Sequence, residues 1–452
     1  MVSHPSEDDL ARYAFDPDSV ENPSGVAMHL AMCSDCSALL RLIETVDAGL
    51  ADEEAWELSE ATRSLGSLDQ TLHDLVSRIA DEDEEAERLL KPLLSNPVAL
   101  ARMNLADKPK YRTGGVVRQL VAAARGALER EPLEALVFAD AAVEIAETLP
   151  DDAYPTSAVF DLRGTAWTQR ANALRLLGRF DEALSALDRA TEAFHHAPHV
   201  PIGIATVQYV RAIVYYERGE LEAAFTMLEE VAKEFKELGD IDRLMRARHV
   251  QANVRFQQGN IVAARAMYEE VLRYGQAERD LSWIARESNT LGRCALELGD
   301  RAAARKYFEE AIEGFRRLHM AIEVIRAEWG LALLALAEGR ARDAVTQLRD
   351  IQRRFTEQGV FIDGALAALD SMDGLYALNE IQEIAALASQ LITTFTNAGM
   401  LTSALTAFAY LREAAALKAI SPKVIDHVRR FIRRIEREPS LLFAPPPDFG
   451  MR

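Results

Sequence analysis

The chain has 452 residues, too many for one compact core, so two or three units or an extended array are expected. Its formal charge of −20 argues against sequence-independent binding to nucleic acid, whose phosphates repel such a surface. Ala, Leu, Glu and Arg dominate while Gly and Pro are few, which favours helix throughout.

The amino terminus, MVSHPSEDD, is polar and acidic and does not read as a secretory signal. The longest apolar run, Gly330 to Ala337, is flanked by Glu328 and Glu338 and is too short to span a bilayer. A cytoplasmic protein, not associated with membrane, is expected. In that compartment cysteines hold metal more often than they form disulfides.

The first stretch with chemistry is His29-Leu-Ala-Met-Cys33-Ser-Asp-Cys36. His29 and Cys33 are four residues apart and share a helix face. Ser34 and Asp35 suit the end of one helix and the cap of the next. Two thiolates and an imidazole on a tight turn supply three corners of a tetrahedral zinc site. His4, which the first helix can fold back over the turn, is the expected fourth ligand. Such a Cys2His2 site is closed and structural, with no position left for a substrate.

Residues 3–50 resemble the zinc-binding anti-sigma domain of bacteria, also called the putative zinc-finger domain. The resemblance rests on His4, on Leu10 and Tyr13, on His29-Leu30 with Cys33 and Cys36, and on Leu39, Leu40, Leu42 and Ile43 in a following helix. It implies a small helical zinc module that docks a sigma factor of the extracytoplasmic-function type. Redox sensors of that family carry a cysteine as first ligand. Here that position is His4, so a thiol switch of that kind is not expected.

Residues 51–110 read as an acidic helical linker containing the run DEDEEAE at 81–87, with Leu68, Leu72, Leu75, Val76 and Ile79 at helical spacing. Pro92, Pro97, Pro109 and Gly114-Gly115 punctuate its end.

From about 111 to 400 the chain repeats. Gly178, Gly219, Gly259, Gly299 and Gly339 recur at steps of 41, 40, 40 and 40, each followed five residues later by Ala183, Ala224, Ala264, Ala304 or Ala344. The glycine permits a tight turn between antiparallel helices, and the alanine lets the second helix cross close to the first. A large residue four further on (Leu187, Leu228, Tyr268, Phe308, Leu348) fills the space between pairs. No pair buries both faces alone, so the pairs stack. These units resemble tetratricopeptide repeats. The best copy has Trp167, Ala171, Gly178, Phe180, Ala183 and Ala190 at the signature positions, although the period is longer than the family's usual one. A degenerate pair with Ala135 and Ala142 precedes it, and one with Asn379 and Ile384 closes the series.

Residues 401–452 carry the capping helices and tail. Ser421 and Pro422 open a helix with an apolar stripe of Val424, Val428, Phe431, Ile432 and Ile435, opposite a basic face of Arg429, Arg430, Arg433, Arg434 and Arg437. That face is either the polar surface a solenoid end needs or a docking face for an acidic partner, such as the chain's own 81–87 run. The Pro-rich tail from Leu441 is expected to be loose.

The fold class is therefore all-α: a small zinc-binding helical domain plus an α-solenoid of tetratricopeptide-like helix pairs. No catalytic motif appears, and His73, His249, His319 and His427 are isolated, so an enzyme is the least expected class. Cys294 reads as a buried small hydrophobe. The first helix of each repeat would line a concave face, where Arg246, Arg286 and Arg326 recur at a 40-residue step beside Asn253, Asn289, Arg293 and Trp329. Such residues suit an acidic peptide or a partner helix. The expected function is a transcription regulator whose zinc head holds a sigma factor. The rivals are a scaffold or a peptide sensor with purely structural zinc.

Overall fold

The structure, a computed structural model, describes residues 5, 7–15, 19–20, 22–30, 33, 36–37, 40, 59–128, 130–150, 154–197, 201–399, 402–435 and 441–446, the side chains at 7, 8, 11, 15 and 59–76 excepted. His4, Leu39, Leu42, Ile43 and Arg437 lie outside them. Among the described residues every regular element is a helix. In chain order these are α1 (Glu7–Phe15), α2 (Pro23–Leu30), α3 (Ser59–Leu94), α4 (Pro97–Ala101), α5 (Gly114–Ala127), α6 (Pro132–Glu147), α7 (Thr156–Leu176), α8 (Phe180–His195), α9 (Pro201–Arg218) and α10 (Leu221–Glu237). There follow α11 (Ile241–Gln257), α12 (Ile261–Ala277), α13 (Leu281–Glu297), α14 (Arg301–Arg317), α15 (Ala321–Ala337), α16 (Ala341–Glu357), α17 (Phe361–Ala377), α18 (Ile381–Asn397), α19 (Thr402–Ala416) and α20 (Pro422–Ile435). No described helix is long and apolar enough to cross a membrane.

The chain divides into two compact units, one of residues 1–173, 188–205 and 233–242, the other of residues 174–187, 206–232 and 243–452. In the first unit the second half of α3 packs on α5, with Ala86 and Leu90 in the same core as Val116, Leu120 and Ala139. The acidic run is part of this contact. Glu82 accepts hydrogen bonds from the Tyr154 hydroxyl (2.9 Å) and the Gly115 amide (3.4 Å), and Asp83 pairs with Arg118 (2.9 Å). Gly115 has no room for a side chain, because a Cβ there would lie 2.4 Å from the Glu82 carbonyl oxygen. Residues 82–110 of the stretch read as linker thus contribute to the packed body, with Asn96 capping α4 and Thr113 capping α5.

In the second unit consecutive helices stack in chain order, and the first helices of successive pairs, α13, α15 and α17, also touch one another. Hereafter their common side is the A face. The small and large positions read from the repeat occupy its core. Ala224, Ala264, Ala304 and Ala344 are fully buried, as are Leu228, Tyr268, Phe308 and Leu348. Phe308 reaches across two neighbouring helices: a Cβ at Gly292 would stand 2.7 Å, and one at Gly330 2.3 Å, from its ring. Those two glycines are there for the ring.

The turns obey a stricter rule than the 40-residue period. From Gly219 to Gly399 a left-handed residue recurs every twenty positions: Gly219, Gly239, Gly259, Arg279, Gly299, His319, Gly339, Gly359, Asn379, Gly399. Turns within pairs and turns between pairs are therefore alike. From Gly219 to Asn379 each closes on an amide-to-carbonyl bond that spans the turn, such as Asn260 to Arg255, Asp280 to Gly275 and Asp300 to Ala295, all 2.9 Å. Asn260, Asp280 and Asp300 then cap the next helix with their side chains.

Two expectations need correction. The tail is not loose over 441–446. Leu441 and Phe443 pack on the core, and the Phe443 ring meets Phe431 at 5.0 Å, His427 at 5.5 Å and Tyr410 at 5.5 Å. His427 also bonds the Ala444 carbonyl through Nε2 (2.8 Å). Nor does Arg429 belong to an exposed basic face of α20, because it is paired inside the second unit, as described below.

Arg279 and His319 take φ of 56° and 57°, a region that disfavours side chains with a Cβ. His319→Gly is expected to stabilise the repeats by about 0.5–1 kcal/mol, whereas Gly259→Ala should destabilise them by about 1–2 kcal/mol. No atom lies within 4 Å of the added Cβ at Gly259, so that loss is backbone strain alone. Urea midpoints of the two variants check both signs.

Candidate functional site

Two places gather functional side chains: the head, and the A face of the second unit.

In the head, Asn22 caps α2 by accepting from the Gly25 amide (3.0 Å), which fixes where the helix starts and places His29 in its last turn. The Cys33 amide donates to the His29 carbonyl (2.8 Å) and the Ser37 amide to the Cys33 carbonyl (3.0 Å). These bonds hold the residues on successive turns. Leu10, Val20 and Val26 form a small core with Cys36, flanked by Tyr13, Leu30 and Cys33. The ligand atoms of His29, Cys33 and Cys36 all lie within 4.8 Å of one another. In a tetrahedral zinc site, bonds of about 2.3 Å to sulfur and 2.0–2.1 Å to nitrogen put ligand atoms roughly 3.5–3.8 Å apart. The donor set therefore fits a metal ion with a contraction of about 1 Å. Zinc held there would staple three chain segments that bury too little apolar surface to order themselves. Cys33 and Cys36 are not joined in a disulfide. Cys294 is also free, but burial pushes its thiol up to about 12, which makes it a packing residue without nucleophilic character.

On the A face the arginine ladder is present, and its members have specific neighbours. Arg246 stacks over Trp283 at 5.7 Å. Arg326 pairs with Asp363 (2.9 Å) and Glu323 (2.7 Å). Arg286, half-buried, holds the same position on the helix between them. Arg293 stacks over Phe256 at 4.8 Å. Asn253 is turned back to its own pair, accepting from the Tyr268 hydroxyl (2.6 Å), while the buried Oδ1 of Asn289 has no hydrogen-bond partner. Trp329 faces inward: its indole donates to Asp370 (2.8 Å), and its ring meets Phe355 edge-on at 6.0 Å.

Two clusters here were not foreseen. One joins α11 to α13, where His249 Nδ1 bonds the fully buried Glu287 carboxylate at 2.6 Å. The other is an ion-pair knot. Arg429 of α20 meets Asp370 at 3.0 Å, reaches Asp373, and donates to the Leu369 carbonyl (3.2 Å). Burial raises Asp370 above the usual carboxylate range and raises Asp373 to about 6, against the opposing pull of Arg429. A single acidic residue within the apolar run GALAALDSM of α17 was the available signal for this knot.

A tetratricopeptide-repeat family model matches residues 162–233, and a second matches 288–313. The chain carries tetratricopeptide repeats. No curated protein matches the chain. Among solved structures it is similar to the Rap conjugation gene regulator of plasmid pLS20 in complex with the Phr* peptide, at 13% identity over 94% of this chain and 96% of that one, with a TM-score of 0.45. It is also similar to aspartyl phosphate phosphatase F from Bacillus subtilis, at 12% identity over 99% and 100%, with a TM-score of 0.44. A Rap protein complexed with competence and sporulation factor is 14% identical over 76% and 99%, with a TM-score of 0.43.

The zinc reading of the head has a direct check. Cys33→Ser should reduce bound zinc from one equivalent to less than a tenth, measured by plasma emission on the purified full chain. Helical circular dichroism should fall only by the head's small share.

Proposed function

We propose that this protein is a non-catalytic regulator with two working parts. Residues 1–50 form a zinc-stapled head that docks a sigma factor of the extracytoplasmic-function type. Residues 111–400 form a repeat solenoid whose A face binds a second protein or peptide. Residues 51–110 join the two, and residues 401–452 cap the repeats. In this reading His29, Cys33, Cys36 and His4 hold Zn2+, and the protein acts in the cytoplasm without contacting nucleic acid or membrane. The observation that carries the reading is the convergence of His29, Cys33 and Cys36 in the spacing that resembles the anti-sigma zinc module. Arg246, Asn253, Arg286, Asn289, Arg293, Arg326 and Trp329 are proposed to shape the partner surface on the A face, with Asn253 and Trp329 acting through the side chains they hold.

A second reading is favoured by the repeat matches at 162–233 and 288–313. Here the protein is a tetratricopeptide scaffold or peptide sensor unrelated to transcription, and zinc does no more than order the head.

Affinity capture from the native host separates the two, using the wild type, a Cys33→Ser/Cys36→Ser double variant and Arg286→Ala as baits. A sigma factor recovered by the wild type and Arg286→Ala, and lost with the double variant, is the expected result. Identical partners from wild type and double variant, with loss in Arg286→Ala, would move the function to the repeats.

A further inference from the structure

The second helices of the later repeats place an apolar residue at one recurring position: Ala232 on α10, Leu272 on α12, Ile312 on α14 and Ile392 on α18. On α16 that position holds Gln352. Gln352 is only 4% exposed, and among the described residues its side-chain amide makes no hydrogen bond. The Thr356 hydroxyl one turn on donates to the Gln352 backbone carbonyl (2.9 Å), not to the amide. A buried amide left without partners costs stability, and such groups are rare enough in native proteins to require a reason.

The surroundings of Gln352 supply one. It lines a cleft of about 400 Å3 between α16 and α18. That volume lies within the range of small-molecule sites, about 300–1,000 Å3. Four charged residues line the cleft, two of each sign. Arg349 of α16 meets Glu383 of α18 at 2.9 Å, and Arg353 pairs with Glu357 along α16 at 2.6 Å. A lining balanced in this way gives no preference to a phosphate or to any ligand of one sign, and suits a molecule that carries both charges itself. Exposed ion pairs are weak, so they can be exchanged for the ends of such a ligand at small cost. The apolar part of the lining is limited to Leu387 and its neighbour Ala386, which favours small side chains.

We propose that this cleft binds a small zwitterion with an amide between its charged ends, of which a dipeptide is the simplest. The Gln352 amide carries a donor and an acceptor side by side, so it can donate to the carbonyl of the ligand's peptide group and accept from its N–H. The ligand's carboxylate is received by Arg349 and Arg353, and its ammonium by Glu357 and Glu383. Both helices are second members of their pairs, so the site is separate from the A face and does not depend on its reading as a partner surface.

Calorimetric titration of the full chain tests this with three probes: alanyl-alanine, free alanine, and alanyl-alanine acetylated and amidated at its ends. Alanyl-alanine should bind at a single site, and the two controls should bind much more weakly, one lacking the peptide group and the other the charges. Gln352→Leu installs the residue type of the other repeats. It should weaken binding about tenfold or more, as loss of a buried hydrogen-bonding group does. Its thermal midpoint should stay level or rise, because an unsatisfied buried amide has been removed. Arg349→Gln should also weaken binding, whereas Arg342→Gln should leave it unchanged, since Arg342 pairs with Glu380 (3.2 Å) outside the cleft. No binding of alanyl-alanine, equal binding of either control, or equal affinity in Gln352→Leu would overturn the proposal. A lowered thermal midpoint in Gln352→Leu would overturn it too, because the amide would then serve the fold and not a ligand.

Discussion

The repeats depend on one local constraint, the left-handed residue that ends each helix. With seventeen helical residues and three turn residues, each element reverses direction after the same rise. The side that points to the A face is therefore reset identically in every pair. Everything the second unit presents follows from that reset: the 40-residue spacing of Arg246, Arg286 and Arg326, the burial of the alanines at the crossings, and the reach of Phe308 between Gly292 and Gly330. Three of these turns use Arg279, His319 and Asn379 in place of glycine. The strain they carry is small beside the burial each pair gains by stacking, so the register survives them.

The repeat core was legible because its signals are short-range and recur: a glycine, an alanine five later, a large side chain four after that. The turns between pairs were not read, although they carry the same signal half a period on, since Arg279 and His319 interrupt the glycine series there. The cluster of His29, Cys33 and Cys36 was legible for the same reason, spanning only eight residues. What stayed hidden is long-range. Asp370 and Arg429 are 59 positions apart, and nothing local to either says that the last helix crosses to the A face. The acidic run misled for a related reason. A charged stretch reads as a solvated face, yet Glu82 and Asp83 are held by Gly115, Tyr154 and Arg118, supplied by residues 33 or more positions away.

Charge gives the two parts different characters. The protein as a whole is strongly acidic, which discourages nucleic acid, while the A face collects arginines with aromatic or carboxylate neighbours. The guanidiniums of Arg246 and Arg293 are held by the rings of Trp283 and Phe256. The head works differently. Its core of Leu10, Val20, Val26 and Cys36 is too small to hold by apolar contact alone, and a metal at His29, Cys33 and Cys36 would fix α2 relative to α1.

The central claim is that partners engage the head and the A face, and not the outer helices of the repeats. Hydrogen exchange of the full chain, alone and with a partner captured from its host, measures this directly. The account predicts slowed exchange at residues 23–36 and along α11, α13 and α15, with α12, α14 and α16 unchanged. Protection confined to α12, α14 and α16 would contradict it.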